Sequence, residues 1–176
     1  VDLVKIDNEV VVEDQDVVRW ITFTGFWGGI YYLLACTSLA VGQRKQPVQV
    51  DVPATTTALG LHLSTFIAGG SLISASSALI SRKSTTEQAR EQIASGQIEQ
   101  TIVQQALGGA VGSVLPFGIA LASMQAVEQI TGKKAFDTDH MNWPVAVGTM
   151  IGLSGLTALC VSRIAAWVAK DARVGG

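Results

Sequence analysis

Few side chains in this 176-residue sequence are of types that carry chemistry, and their spacing narrows them further. Two histidines are present, His62 and His140, and two cysteines, Cys36 and Cys160. Neither cysteine sits in a CxxC or His-paired pattern, so both read as small apolar packing residues. Asp137-Thr138-Asp139-His140 brings several metal-ligand types into one short loop, but such a run rarely converges on a cation without further carboxylates. No metal site is assigned to it. There is no GxSxG, HExxH, phosphate-loop or GxGxxG pattern, so no catalytic residue is assigned and the chain is read as a non-enzyme.

The elements that must position these residues are set by charge. Four windows, 20–43, 52–81, 100–127 and 140–162, carry no charged side chain; together they hold 105 residues, and all 26 charges crowd into the other 71. Each window exceeds the roughly 20 residues an α-helix needs to cross a bilayer core. The expected fold is an all-α integral membrane protein with four transmembrane helices in a tightly packed bundle, over about 20–41, 58–80, 106–127 and 144–168. The four-span domain extends over 19–170, with an acidic arm at 1–18 before it and a short tail at 171–176 after it. Trp20, Trp143 and Trp167 fall at the ends of the first and fourth spans, where an indole prefers the headgroup level.

That frame decides what the histidines can do. His62 lies inside the second span and His140 just outside the membrane, so a haem held by two histidines at matching depth is disfavoured. His62 alone remains the candidate ligand for chlorophyll or another pigment, with a hydrogen-bonded intramembrane histidine as the plainer alternative. Glu128, at the end of the third span, is the acid nearest the bilayer.

Small residues recur at helical spacing: Gly25 and Gly29, Gly108 and Gly112, Gly148 and Gly152. Such pairs let helix backbones approach closely where lipid supplies no hydrophobic drive for association. The second span adds Gly69-Gly70 among Ser64, Thr65, Ser71, Ser74, Ser76 and Ser77, too polar a composition to face lipid all round. These faces are expected to pack within the chain or against other membrane subunits. Pro116, in the middle of the third span, frees the carbonyl of Gly112 and predicts a kink there; a gating hinge is the sharper alternative.

The connection 81–105 has capping-box spacing at Ser84-Thr85-Thr86-Glu87, so a short surface helix is expected, followed by a second one that carries Ile98 and Ile102 into the third span. The arm is acidic, with six acids against one lysine in its first 18 residues, the reverse of a secretory signal. No cleavable signal is expected, and the start at Val1 leaves prior removal of a transit peptide open. Val10-Val11-Val12 has strand character, but a lone strand has nothing to pair with, so the free arm is expected to be disordered unless a partner holds it.

With four spans, the face shared by both termini holds Lys5, Arg19, Arg82, Lys83, Arg90, Arg163, Lys170 and Arg173, against Arg44, Lys45, Lys133 and Lys134 opposite. The positive-inside rule then places both termini on the cytoplasmic, stromal or matrix side of a bacterial inner, thylakoid or organellar inner membrane. A net charge of −2 without a basic stripe excludes nucleic acid as a partner.

Four spans with a short first loop, Phe26-Trp27-Gly28 in the first span and Met124-Gln125-Ala126 in the third resemble the chloroplast permease/import family of the inner envelope. That resemblance implies a small transporter, channel or import component. The residues themselves favour a non-catalytic accessory subunit of a larger complex in an energy-transducing membrane, with other membrane subunits and the lipid bilayer as its partners.

Overall fold

The computed structural model describes the backbone of residues 3–6, 9–12, 14–44, 47–81 and 102–174, and the side chains of 21–44, 47–72 and 102–164. Five helices make up nearly all of it: α1 (Asp14–Gly42), α2 (Val52–Ser81), α3 (Ile102–Gly112), α4 (Val114–Thr131) and α5 (Trp143–Val174). The capping-box helix expected at 84–93 lies outside the described residues, as do Lys45 and the C-terminal glycines; Ile102 opens α3.

Among the described residues three segments are long and apolar enough to cross a membrane, Ile21–Gly42, Ile102–Thr131 and Trp143–Ile164, and an 18-residue apolar stretch of each is only 33, 33 and 22 % buried inside the chain. Their outward faces carry Phe26, Leu33, Val111, Leu115, Leu156 and Ile164, each more than half exposed. A soluble monomer seldom leaves so much contiguous apolar surface in water. Three helices of this length and apolarity are compatible with an integral membrane protein. The described part of α2 is more polar, with Thr55, Thr56, Thr57, His62, Ser64 and Thr65 on it, and it is not among the three. Within the helix most of these hydroxyls turn back on the carbonyl four residues earlier, as Thr56 does on Val52 and Ser64 on Gly60, which satisfies them without a neighbour.

Helices α2 and α5 begin ahead of the expected spans at 58 and 144, each directly after a polar residue. Asp51 Oδ1 accepts the Ala54 N–H at 2.8 Å and starts α2, six residues before the expected boundary at 58. Pro53 costs nothing there, since first-turn N–H groups have no intrahelical partner. Asn142-Trp143-Pro144 has the same spacing at α5, and the first main-chain bond of each helix matches: Thr55 N donates to Asp51 O at 2.9 Å and Ala146 N to Asn142 O at 3.0 Å.

The third apolar segment is interrupted at Ser113, one residue after Gly112. Ser113 N is shared between Gly109 O (3.1 Å) and Ala110 O (3.4 Å), and its Oγ donates to Ala110 O at 2.6 Å. Pro116, buried and lacking an N–H, leaves Gly112 O without its helical donor, so the ladder tightens just ahead of it. At the other end of α4, Gly132 takes a left-handed φ of 72° and donates to Glu128 O at 2.8 Å, which a residue with a Cβ does only under strain.

The arm corrects the expectation of a disordered segment with an unpartnered strand. Leu3–Ile6 (β1) and Glu9–Val12 (β2) pair antiparallel, Leu3 opposite Val12 and Ile6 opposite Glu9. The strand finds its partner inside the arm, across the two-residue spacing typical of a hairpin. Helix α1 then begins at Asp14.

The chain divides into two compact units, Val1–Ile30 with Gly60–Glu99, and Tyr31–Leu59 with Gln100–Gly176. The second unit holds a core of Tyr32, Ala35 and Leu39 from α1, Ala58 from α2, Phe117, Ala120 and Met124 from α4, and Ala146 and Met150 from α5. Alanines at the helix contacts let the larger Leu39, Met124 and Met150 interdigitate between backbones.

Candidate functional site

In the first unit the chemistry-bearing residue is His62. Its side chain is fully buried, its Nε2 lies 3.1 Å from Gly28 O, and its ring stacks on Phe66 with centroids 5.3 Å apart and planes 27° apart. A carbonyl only accepts, so Nε2 carries the proton in this contact. Gly28 makes the approach feasible: a Cβ built there would meet Leu63 Cδ2 at 3.2 Å and Phe66 Cβ and Cγ at 3.3 Å. The imidazole therefore fastens α2 to α1. A pigment metal would have to reach it through Nδ1 or displace the Gly28 contact.

The second unit gathers its polar groups at the end formed by loops 43–51 and 132–142. Gln43, nearly buried, clamps the main chain of Gln49 with both ends of its carboxamide: Nε2 donates to Gln49 O at 3.0 Å and Oε1 accepts Gln49 N–H at 2.9 Å. Isolated bridges join Gln43 to Met141 and Val50 to Phe136, and Asn142 N donates to Gly42 O at 2.7 Å. Gly42 must be a glycine, because a Cβ there would lie 2.7 Å from Ala146 Cβ and 2.9 Å from Met141 Sδ. Inside the unit, Tyr32 Oη donates to Thr55 O at 2.6 Å, tying the second half of α1 to the start of α2.

On this cap Lys134 Nζ pairs with Asp139 Oδ2 at 2.8 Å and, more loosely, with Glu128 Oε1 at 3.8 Å. The Asp139 carboxylate holds the lysine ammonium above its ordinary range, with Glu128 and Asp137 adding to it. His140 Nδ1 lies 3.0 Å from Asp137 Oδ2 and stays exposed. Among the described residues no cluster of three or more His, Cys, Asp or Glu could hold a metal ion. Cys36 is half-buried and Cys160 exposed, both as free thiols.

The glycines divide in a way that spacing alone does not reveal. In the second unit Gly109 and Gly155 carry the close crossing of α3 and α5: a Cβ at Gly109 would lie 2.5 Å from Ala158 Cβ and 2.8 Å from Ser154 O, and one at Gly155 3.2 Å from Ala106 O. Their neighbours in the spaced pairs, Gly108, Gly112, Gly148 and Gly152, have nothing within 4 Å of where a Cβ would be, and the same holds for Gly29 and Gly69. Gly25 makes only an ordinary 3.8 Å contact with Ile67, and Gly70 is half-buried. Trp143 is 40 % exposed at the start of α5; Trp20 and Trp167 lie in α1 and α5, with side chains outside the described ones.

No protein-family model, curated protein or solved structure matches the chain. The tripeptides Phe26-Trp27-Gly28 and Met124-Gln125-Ala126 thus stand without a family match behind them. In the structure Gly28 is the seat of His62, while Met124 belongs to the second unit's core. Sequence reasoning missed Gln43, Gly42, Gly109 and Gly155. The Asp-x-Pro and Asn-x-Pro caps were its available signal for the ordered loop end.

Proposed function

We propose that the chain is a four-span membrane protein acting as a non-catalytic accessory subunit of a larger complex in an energy-transducing membrane. Chain parity supports the fourth span. The end of α1, the start of α2, the end of α4 and the start of α5 meet at one cap, through Gln43 with Met141 and Val50 with Phe136. If the 102–131 segment crosses the bilayer, Ile102 lies at the opposite face, and α2 must cross as well to deliver the chain there. By the positive-inside count both termini then face the cytoplasmic, stromal or matrix side.

The observation that carries the accessory role is the set of unused glycines. Gly108 with Gly112 and Gly148 with Gly152 form backbone-bare strips that no described part of this chain fills. In a membrane such strips favour close helix contact over lipid. Gln43 and the main chain of Gly42 and Asn142, by contrast, are spent on holding the cap together.

The test is affinity isolation of the tagged chain from its native membrane in mild detergent. Co-purification in a stoichiometric assembly larger than the chain supports the reading. Recovery as a stable monomer that moves a solute across liposomes would favour the transport or import alternative.

A further inference from the structure

The loop end of the second unit holds an open-mouthed cavity of about 280 Å³. Its lining is in part apolar, with Leu39 of α1, Leu121 and Met124 of α4, and Ala135, Phe136 and Trp143. The rest is polar, with Gln125, Glu128 and Thr138. Residues 121, 125 and 128 are successive turns of one helix face, so the lining grades from hydrocarbon to carboxylate along α4. Glu128 stands one turn from the end of that helix, at the level where Trp143 begins α5.

We propose that this cavity binds a single-chain amphiphile drawn from the bilayer, its primary ammonium head against Glu128 and the first carbons of its chain between Leu121 and Trp143. Three features select that chemistry. Among the described residues Glu128 is the one charged side chain that lines the cavity, and Lys134 pairs with it only loosely, at 3.8 Å against 2.8 Å to Asp139. The Glu128 carboxylate therefore keeps acceptor capacity for a ligand donor. The carboxyl end of α4 adds the negative pole of its helix dipole, which again favours a cation over an anion. Size sets the third condition. At ~30 Å³ for a water-sized group, the cavity takes roughly nine such groups, a head and the start of a chain but not a whole lipid. One turn below Leu121, Gly118 is exposed with nothing within 4 Å of its Cβ position, leaving a notch on α4 along which the chain can continue.

The experiment uses the full chain in lipid nanodiscs and three photoactivatable probes of equal length, a long-chain primary amine, the matching alcohol and the matching carboxylic acid. The amine is expected to label peptides within 118–143 saturably, at least tenfold more than the acid, and unlabelled dodecylamine is expected to compete. Glu128→Gln, nearly isosteric, should cut amine labelling about tenfold while changing alcohol labelling less than twofold, the loss of one charge-assisted hydrogen bond. Leu121→Trp fills the cavity and should abolish labelling by all three, with an unchanged melting midpoint as the folding control. Equal labelling by the acid, insensitivity to Glu128→Gln, or persistence in Leu121→Trp would each overturn the proposal. Competition by butylamine as effective as by dodecylamine would point to a water-soluble amine and overturn the bilayer source.

Discussion

His62 on α2 reaches the main-chain oxygen of Gly28 on α1 at 3.1 Å because position 28 has no side chain to hold it off. Both the imidazole contact and the glycine belong to one close approach of two helices. Replacing Gly28 by Leu forces Leu63 and Phe66 aside and is expected to cost about 1–3 kcal/mol. His62→Leu loses the ring stacking on Phe66 and the interhelical hydrogen bond, the latter worth about 0.6–1.7 kcal/mol in membrane helices. Gly29→Leu, with open space around it, should leave stability unchanged. Unfolding of the purified variants by SDS titration in mixed micelles orders the three.

Adjacent glycines on α3 are expected to behave oppositely. A methyl at Gly109 would lie 2.5 Å from Ala158 Cβ and 2.8 Å from the rigid Ser154 carbonyl, whereas one at Gly108 meets nothing. Gly109→Ala should therefore destabilise the isolated chain by about 1–3 kcal/mol, and Gly108→Ala should not. Thermal unfolding in detergent distinguishes them, and equal effects would contradict the observed crossing of α3 and α5.

Gln43 closes loop 43–51 with two hydrogen bonds to one residue. Gln43→Ala removes both partners of the Gln49 main chain, and because Gln49 is itself exposed and water can take their place, the loss is about 0.5–1.5 kcal/mol per bond. Limited proteolysis should then cut within 43–51 in the variant under conditions where the parent chain resists.

The Lys134 pairs set a pH dependence whose sign follows from the raised lysine. A group whose folded value lies above its unfolded one contributes fully below the ordinary value of 10.5 and loses that contribution as pH rises through the folded value. Attachment of the 132–142 loop, followed by proteolysis or hydrogen exchange, should thus show no Lys134-dependent change across neutral pH and weaken only in strong alkali. Because the ammonium is fully exposed, Lys134→Met should have a small effect that salt diminishes further.

Much of the fold was legible because charge exclusion is a strong signal. A helix that faces lipid cannot carry a solvated face, and each uncharged window overlaps a long helical segment among the described residues. Their ends were less legible, since Asp51-Val52-Pro53 starts α2 in a polar stretch that hydropathy discounts. The hairpin in the arm was missed because Val10-Val11-Val12 was read without its partner at Leu3–Ile6. Among glycines, i and i+4 spacing identifies a bare strip but not what faces it: Gly108 and Gly109 are indistinguishable by period, and only the position of α5 assigns them. His62 was singled out as ionisable and intramembrane, yet its seat on Gly28 depends on two helices meeting in one register, which no single-helix pattern encodes.

The accessory-subunit reading is tested most directly by substituting the unused strips in the native membrane. A chain carrying Gly108→Leu and Gly148→Leu should insert and fold with the parent's melting midpoint, because a Cβ at either exposed position has nothing within 4 Å among the described residues. Size analysis of mild-detergent extracts should then show it displaced from the larger assembly into a free pool. Retention of the variant in an assembly of unchanged size, at unchanged stoichiometry, would contradict the account.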